Sequence, residues 1–186
     1  MPIHITDLRA SDHELIQQAA ALLVAELSLP HWPTGYLTLQ KALDEVQDCL
    51  QPEFIVRVAC DARGLLMGWI GGRPGYEGRV WELHPIVVQR DSQRRGVGRA
   101  LVADLEAQVR QRGARTLWLG TDDEDLRTTL GGVDLYTDLP NKLAAARSTS
   151  GHPLEFFRKL GFTIVGVVPD ADGVGKPDIL MAKRLG

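Results

Sequence analysis

The sequence predicts a mixed-sheet α/β (α+β) protein, organised as one domain over residues 1–186. Three observations carry that expectation. Apolar runs broken by Gly, Asp and Pro read as strands, and an early pair brackets the turn Asp61-Ala62-Arg63-Gly64. Other stretches repeat their apolar residues at helical spacing. Midway, Ile86-Val87-Val88 passes through a glycine turn straight into an amphipathic segment, which marks a strand–helix–strand crossover after an antiparallel start. With 186 residues, 44% of them hydrophobic, the chain is long enough for one substantial core.

In chain order, Ile3 to Leu8 reads as a short strand. Ser11-Asp12 then caps a helix whose apolar positions are Leu15, Ile16, Ala19, Leu22, Leu23 and Leu27, and Pro30 and Pro33 stop it. A second helix is expected over Leu37 to Leu50, followed by antiparallel strands over Phe54 to Cys60 and Leu65 to Gly71. The turn Gly75-Tyr76-Glu77-Gly78 leads into a strand from Val80 to Val88. The helix Val97 to Arg112 closes at Gly113, where a residue with positive φ commonly ends a helix. Thr116 to Gly120 is a buried strand, Pro153 to Leu160 a helix begun by proline, and Thr163 to Val168 and Asp178 to Lys183 are final strands. The connection from Thr121 to His152 is long enough to be a binding loop or a surface insertion, with a short helix near Leu139 to Arg147.

Composition narrows the function classes. A net charge of −3 offers no basic face for nucleic acid and is compatible with a cationic partner. Cys49 and Cys60 are the only cysteines, with neither a disulfide framework nor metal-ligand spacing, so no metal is expected. The start, Met1-Pro2-Ile3-His4, has no signal-peptide character, and no apolar run is long enough to span a membrane. These features read as a soluble cytoplasmic protein.

The turn Gln93-Arg94-Arg95-Gly96-Val97-Gly98 is the main chemical signal. It ends at a helix N-terminus, where backbone N–H groups lack intrahelical acceptors and favour an anion. Two glycines let phosphate approach the main chain without a Cβ in the way, and Arg94, Arg95 and Arg99 add charge. A nucleoside-triphosphate loop requires a Gly-Lys-Ser/Thr run that is missing here. A dinucleotide turn requires a small residue where Leu101 stands. The pattern that remains, Gln/Arg-x-x-Gly-x-Gly/Ala, resembles the acetyl-CoA motif of the GNAT acetyltransferase superfamily. By itself the same turn also suits an ordinary loop ahead of a basic helix start.

More distant blocks sharpen the resemblance. Trp81-Glu82-Leu83-His84-Pro85-Ile86-Val87-Val88, Leu119-Gly120-Thr121-Asp122-Asp123, Thr128-Thr129-Leu130, Asp134-Leu135-Tyr136, His152-Pro153-Leu154-Glu155-Phe156, Lys159-Leu160-Gly161-Phe162 and Lys176-Pro177-Asp178-Ile179 together resemble the aminoglycoside 6′-N-acetyltransferase branch. The likeness is dense from Gly68 to Leu185 and is mainly one of layout before that. It implies a GNAT fold, acetyl-CoA as cosubstrate, a cationic aminoglycoside acceptor, antibiotic resistance and a homodimer. Polyamines, other small amines or a protein N-terminus are alternative acceptors, and a non-catalytic acyl-CoA sensor would need only the turn.

Site residues follow in part from this resemblance. It implies that the Ile86 backbone N–H faces the thioester oxygen, where negative charge develops during acyl transfer. Val88 contributes through its main chain, and Gln93, Arg94, Arg95, Gly96, Val97, Gly98 and Arg99 hold the cofactor phosphates. Pro85 has no N–H and helps to distort the ladder, freeing neighbouring amides. A polycationic acceptor calls for carboxylates: Asp122, Asp123, Glu124 and Asp125 follow a predicted strand, and Asp178 enters another. The competing readings are a solvated acidic loop and a turn cap at Asp178.

An ammonium must lose a proton before it attacks. Glu82 is the first candidate base and Asp125 the second, with charge-based binding the equal alternative for both. His84 shares a face with Glu82, as a proton relay or as a hydrogen-bonded structural residue. Where the branch carries a tyrosine able to protonate the leaving sulfur, this chain has Phe157, so that role does not carry over. Tyr136 is a possible stand-in or a packing residue. Trp32 and Tyr36 either shape an acceptor pocket or pack in the core. Neither cysteine is expected near the site, which favours direct transfer over an acetyl-cysteine.

Overall fold

The computed structural model describes residues 3–27 and 38–186. Pro30, Trp32, Pro33 and Tyr36, and the readings attached to them, lie outside the described residues. The chain divides into two units, Met1–Arg115 with Leu185–Gly186, and Thr116–Arg184.

The first unit contains β1 (His4–Asp7), α1 (His13–Leu27), α2 (Leu39–Asp48), β2 (Ile55–Cys60), β3 (Leu66–Gly75), β4 (Val80–Val88) and α3 (Val97–Gln111). Its strands are antiparallel in the order β1-β2-β3-β4. α2 starts two residues later than its apolar pattern suggests, because Thr38 is the cap and its Oγ1 accepts the Lys41 N–H at 3.2 Å. α1 and α2 cover one face of the sheet, burying Ala19, Leu23, Ala42 and Val46 against Val56, Val58, Trp69 and Val87. Trp69 satisfies its indole by donating to the Ala19 carbonyl at 3.3 Å. α3 serves the other face. There Arg57 donates to Asp104 at 2.6 Å, and Gly72 leaves the space that Leu105 fills.

A bulge in β4 organises the chemistry. Gly72 pairs with Leu83 and Ile70 with Ile86, so Gly71 stands opposite both His84 and Pro85. A Cβ on Gly71 would lie 2.2 Å from the His84 carbonyl oxygen, so only glycine fits. The extra residue resets which side chains share a face. Glu82 pairs with Arg73 on the α2 side, whereas Ile86 pairs with Ile70 on the α3 side. The glycine pair therefore lies inside β3, which runs on to Gly75 beyond the expected end at Gly71.

The second unit contains β5 (Thr116–Asp122), α4 (Leu139–Ala144), α5 (Leu154–Lys159), β6 (Thr163–Val168) and β7 (Asp178–Arg184), with antiparallel order β5-β7-β6. Leu117, Leu119, Leu130, Leu154, Ile179 and Met181 are buried in it. β5 continues past Gly120, so Thr121 and Asp122 are strand residues and not the start of a loop. No helix among the described residues is long and apolar enough to cross a membrane.

Candidate active site

In the first unit, β4 ends at Val88 and the chain turns through 90–96 into α3. The Gln93 side-chain amide donates to the Val88 carbonyl at 3.0 Å, tying the turn to the strand. Gly96 sits at φ +89°, a conformation suited to glycine, and a Cβ there would meet nothing within 4 Å. The first bond into the helix runs from the Ala100 N–H to the Gly96 carbonyl at 2.9 Å. The amides of Val97, Gly98 and Arg99 come before it and have no carbonyl one turn back. Arg94, Arg95 and Arg99 are exposed around this end. A cavity of about 280 Å³ opens here, lined by Ile3, Met67, Arg95 and Val97.

On the α2 side of β4 the charges are paired. Arg73 Nη2 donates to Glu45 Oε1 at 2.8 Å, and His84 Nε2 lies 3.4 Å from the same oxygen. The hydrogen bond from His84 does most to hold Glu45 below its ordinary value of 4.5, outweighing its partial burial, with help from the charges of His84 and Arg73. Glu82 adds to the negative charge that Arg73 feels. Cys49 lies closer to this cluster than expected, with Sγ 3.6 Å from Glu45 Oε1 and 3.8 Å from Arg73 Nη2. That corrects the expectation that both cysteines stand apart. Burial pushes the Cys49 thiol up to about 11, leaving it protonated and a poor nucleophile. Direct transfer is favoured on this ground instead of distance.

In the second unit, β5–β7 pairing sets Asp122 opposite Asp178. The Asp178 carboxylate lies across Gly120, 2.6 Å from where a Cβ would project. Asp122 is pushed up from 3.8 to about 7. Desolvation of its carboxyl is the main cause, followed by the charge of Asp178, the charge and hydrogen bond of Asp172, and the charge of Glu124. The residue as a whole still reaches the surface.

The other acids of this segment have different settings. Asp123 is 1% exposed and turned into its own loop. It accepts the Arg127 N–H at 2.5 Å, the Thr128 N–H at 3.0 Å and the Thr128 hydroxyl at 2.6 Å. Asp125 pairs with Arg127 at 3.4 Å. Tyr136 is 75% exposed, and its N–H donates to Asp134. Phe157 is buried edge-on to Phe156 and Phe162, with ring centroids 5.1 and 5.8 Å away.

Three further residues carried no site signal in the sequence. Glu45 and Arg73 meet His84 only through tertiary packing. His152 is buried beneath the end of β5. Its Nδ1 accepts the Leu154 N–H at 3.1 Å, so Nε2–H donates to the Asp122 carbonyl at 2.9 Å. Burial is the main reason that His152 titrates below its ordinary value.

A profile of the acetyltransferase (GNAT) family matches residues 20–136. The chain is also similar to solved structures over nearly its whole length. An aminoglycoside 6′-N-acetyltransferase complexed with coenzyme A is 39% identical, with 98% of this chain and 97% of that one covered, at a TM-score of 0.90. The aminoglycoside 6′-N-acetyltransferase from Enterococcus faecium is 38% identical with the same coverage, at a TM-score of 0.88. An aminoglycoside 6′-acetyltransferase type Ii is 35% identical, at a TM-score of 0.74. No curated protein matches the chain.

Proposed function

The chain belongs to the acetyltransferase (GNAT) family, and on that premise we propose that it transfers acetyl from acetyl-CoA to the 6′-amine of aminoglycosides, conferring resistance. The observation that carries this reading is the crowding of Asp122, Asp178, Asp172 and Glu124, where burial first and then the neighbouring charges push Asp122 up to about 7. Like charges held this close are relieved by a bound polycation, and an aminoglycoside is one. The near-full-length likeness to enzymes of that name supports the same acceptor.

The residues present fit acetyl-CoA. The open glycine cap at Gly96, the three leading amides of α3 and Arg94, Arg95 and Arg99 form a donor set for its phosphates. Bound there, acetyl-CoA supplies an acetyl group activated as a thioester. Ile86 N–H donates toward the oxygen of that acetyl group, and the Val88 main chain steadies the arm that carries it. Glu82 accepts a proton from the acceptor's ammonium, so the freed amine bonds to the acetyl carbon as the carbon–sulfur bond breaks. The sulfur then recovers a proton and the base is regenerated, which closes the proton balance. Phe157 is packed in the core and donates none; a thiol with pKa of roughly 8.5 leaves tolerably without a dedicated acid.

Asp122 and Asp178 bind the acceptor's ammonium groups. Asp123 keeps its loop in shape, and Asp125 works through its pair with Arg127. Free Cys49 and Cys60 suit a reducing cytoplasm, and the family resemblance supports a homodimer, which light scattering would check. Incubation with kanamycin and acetyl-CoA, followed by mass and NMR analysis, tests the reaction. One added acetyl group on the 6′-nitrogen is the expected result. Acetylation confined to polyamines or peptide N-termini, or tight acetyl-CoA binding with no turnover, would overturn it.

A further inference from the structure

We propose that Glu45 is a positioning residue for this reaction: it accepts a hydrogen bond from His84 Nε2–H, leaving His84 Nδ1 to receive the proton that leaves the acceptor amine. The inference rests on the acetyl-transfer reading and adds a residue outside its motifs. α2, capped by Thr38, carries Glu45 to the sheet face where the β4 bulge keeps His84. Glu45 Oε1 lies 3.4 Å from His84 Nε2, and Arg73 Nη2 holds the same oxygen at 2.8 Å. Glu45 is the group in contact with His84; Arg73 from β3 and Cys49 from α2 reach the same Glu45 oxygen, and Glu82 from the His84 strand acts on the charge of Arg73.

The two histidines of interest separate the roles. His152 is 2% exposed and uses both ring nitrogens within the protein, as a structural histidine should. His84 keeps a side chain 40% exposed, engages Nε2 with Glu45, and has no partner for Nδ1 among the described residues. A carboxylate on one ring nitrogen fixes the tautomer and presents the lone pair of the other. In the step, Glu82 takes the ammonium's proton and passes it through water to His84, where an N–H bond forms at Nδ1 as the proton leaves the carboxyl group. The imidazolium is stabilised by Glu45 and later returns that proton toward the sulfur.

The test combines ring-nitrogen NMR with steady-state kinetics. Neutral His84 should show the Nε2–H tautomer in the wild type and a tautomer mixture in Glu45→Ala. In the same variant kcat should fall on the order of tenfold, a fraction of what a positioned base contributes, with KM for acetyl-CoA unchanged. His84→Gln should lose at least as much, and the double variant no more than His84→Gln. Glu45→Gln keeps the side-chain volume and an accepting oxygen, so it should recover the tautomer and most of the turnover. An unchanged tautomer in Glu45→Ala, a full additive loss in the double variant, or Glu45→Gln as impaired as Glu45→Ala would overturn the proposal. If the wild type acetylates no aminoglycoside, the reaction reading fails while the tautomer measurement still decides the Glu45–His84 contact.

Discussion

Two carboxylates in different parts of the chain are shifted in opposite directions. Glu45, against β4, is held below its usual value because His84 and Arg73 sit on it. Asp122, at the end of β5, is raised to about 7 by burial of its carboxyl and then by the charges of Asp178, Asp172 and Glu124. The first region has its counter-charges built in, which suits a base that must keep its geometry through turnover. The second concentrates negative charge that a ligand can neutralise. On the proposed reading, one region handles a proton and the other a polycation.

The largest effect is expected in the first region. Glu82→Gln should lower kcat on the order of 100-fold with little change in KM for the aminoglycoside, as removal of a general base does. A rise in KM alone would make Glu82 a binding residue and erase the contrast. Gly71→Ala should cost about 2–3 kcal/mol of stability, because its Cβ would sit 2.2 Å from the His84 carbonyl oxygen. Thermal unfolding measures that loss, and an unchanged Tm would remove the bulge from the account. In the second region, Asp122→Asn combined with Asp178→Asn should raise KM for the aminoglycoside roughly tenfold and leave KM for acetyl-CoA alone. Equal effects on both substrates would mean that the two regions do not divide the labour.

The smallest effect is one of sign. Because Asp122 titrates higher in the folded chain than its ordinary 3.8, the native state keeps a proton that the unfolded chain has released. Its contribution to stability therefore declines as pH rises from about 4 to about 7 and is level above that. Glu45 behaves the other way: its contribution is complete above 4.5 and is lost as pH falls through its lowered folded value. Melting curves of Asp122→Asn should show the neutral-pH penalty removed and the acid side untouched. Those of Glu45→Gln should lose the stabilisation present above 4.5 and leave the acid side untouched. Aminoglycoside binding should tighten as pH rises through about 7 and release a proton as Asp122 ionises.

Much of this arrangement was legible in the sequence, and the reasons for the rest are specific. β4 and β6 fall at their expected bounds because each is a short apolar-rich run between flanking turns. The turn from β4 into α3 was legible because a strand, two glycines and an amphipathic helix are consecutive. Gly71 reads as a strand end, yet the strand runs on: the need for glycine at Gly71 and Gly72 comes from β4 and from Leu105, both distant in sequence. Asp123 looked like its acidic neighbours, yet a buried hydrogen-bond set fixes it, and only Thr128, five residues on, hinted at that. Glu45 carried no signal, since nothing on an isolated amphipathic helix says which acid will meet a histidine from a distant strand. Cys49 was set apart for the same reason.

The central claim is transfer to the 6′-nitrogen, and a matched pair of aminoglycosides tests it most directly. One carries an amine at the 6′-position and the other a hydroxyl there, with the rest of the molecule unchanged. The 6′-amino compound should be acetylated, and the 6′-hydroxyl compound should bind without turnover and inhibit competitively. Comparable acetylation of both would place the reacting nitrogen elsewhere and contradict the account.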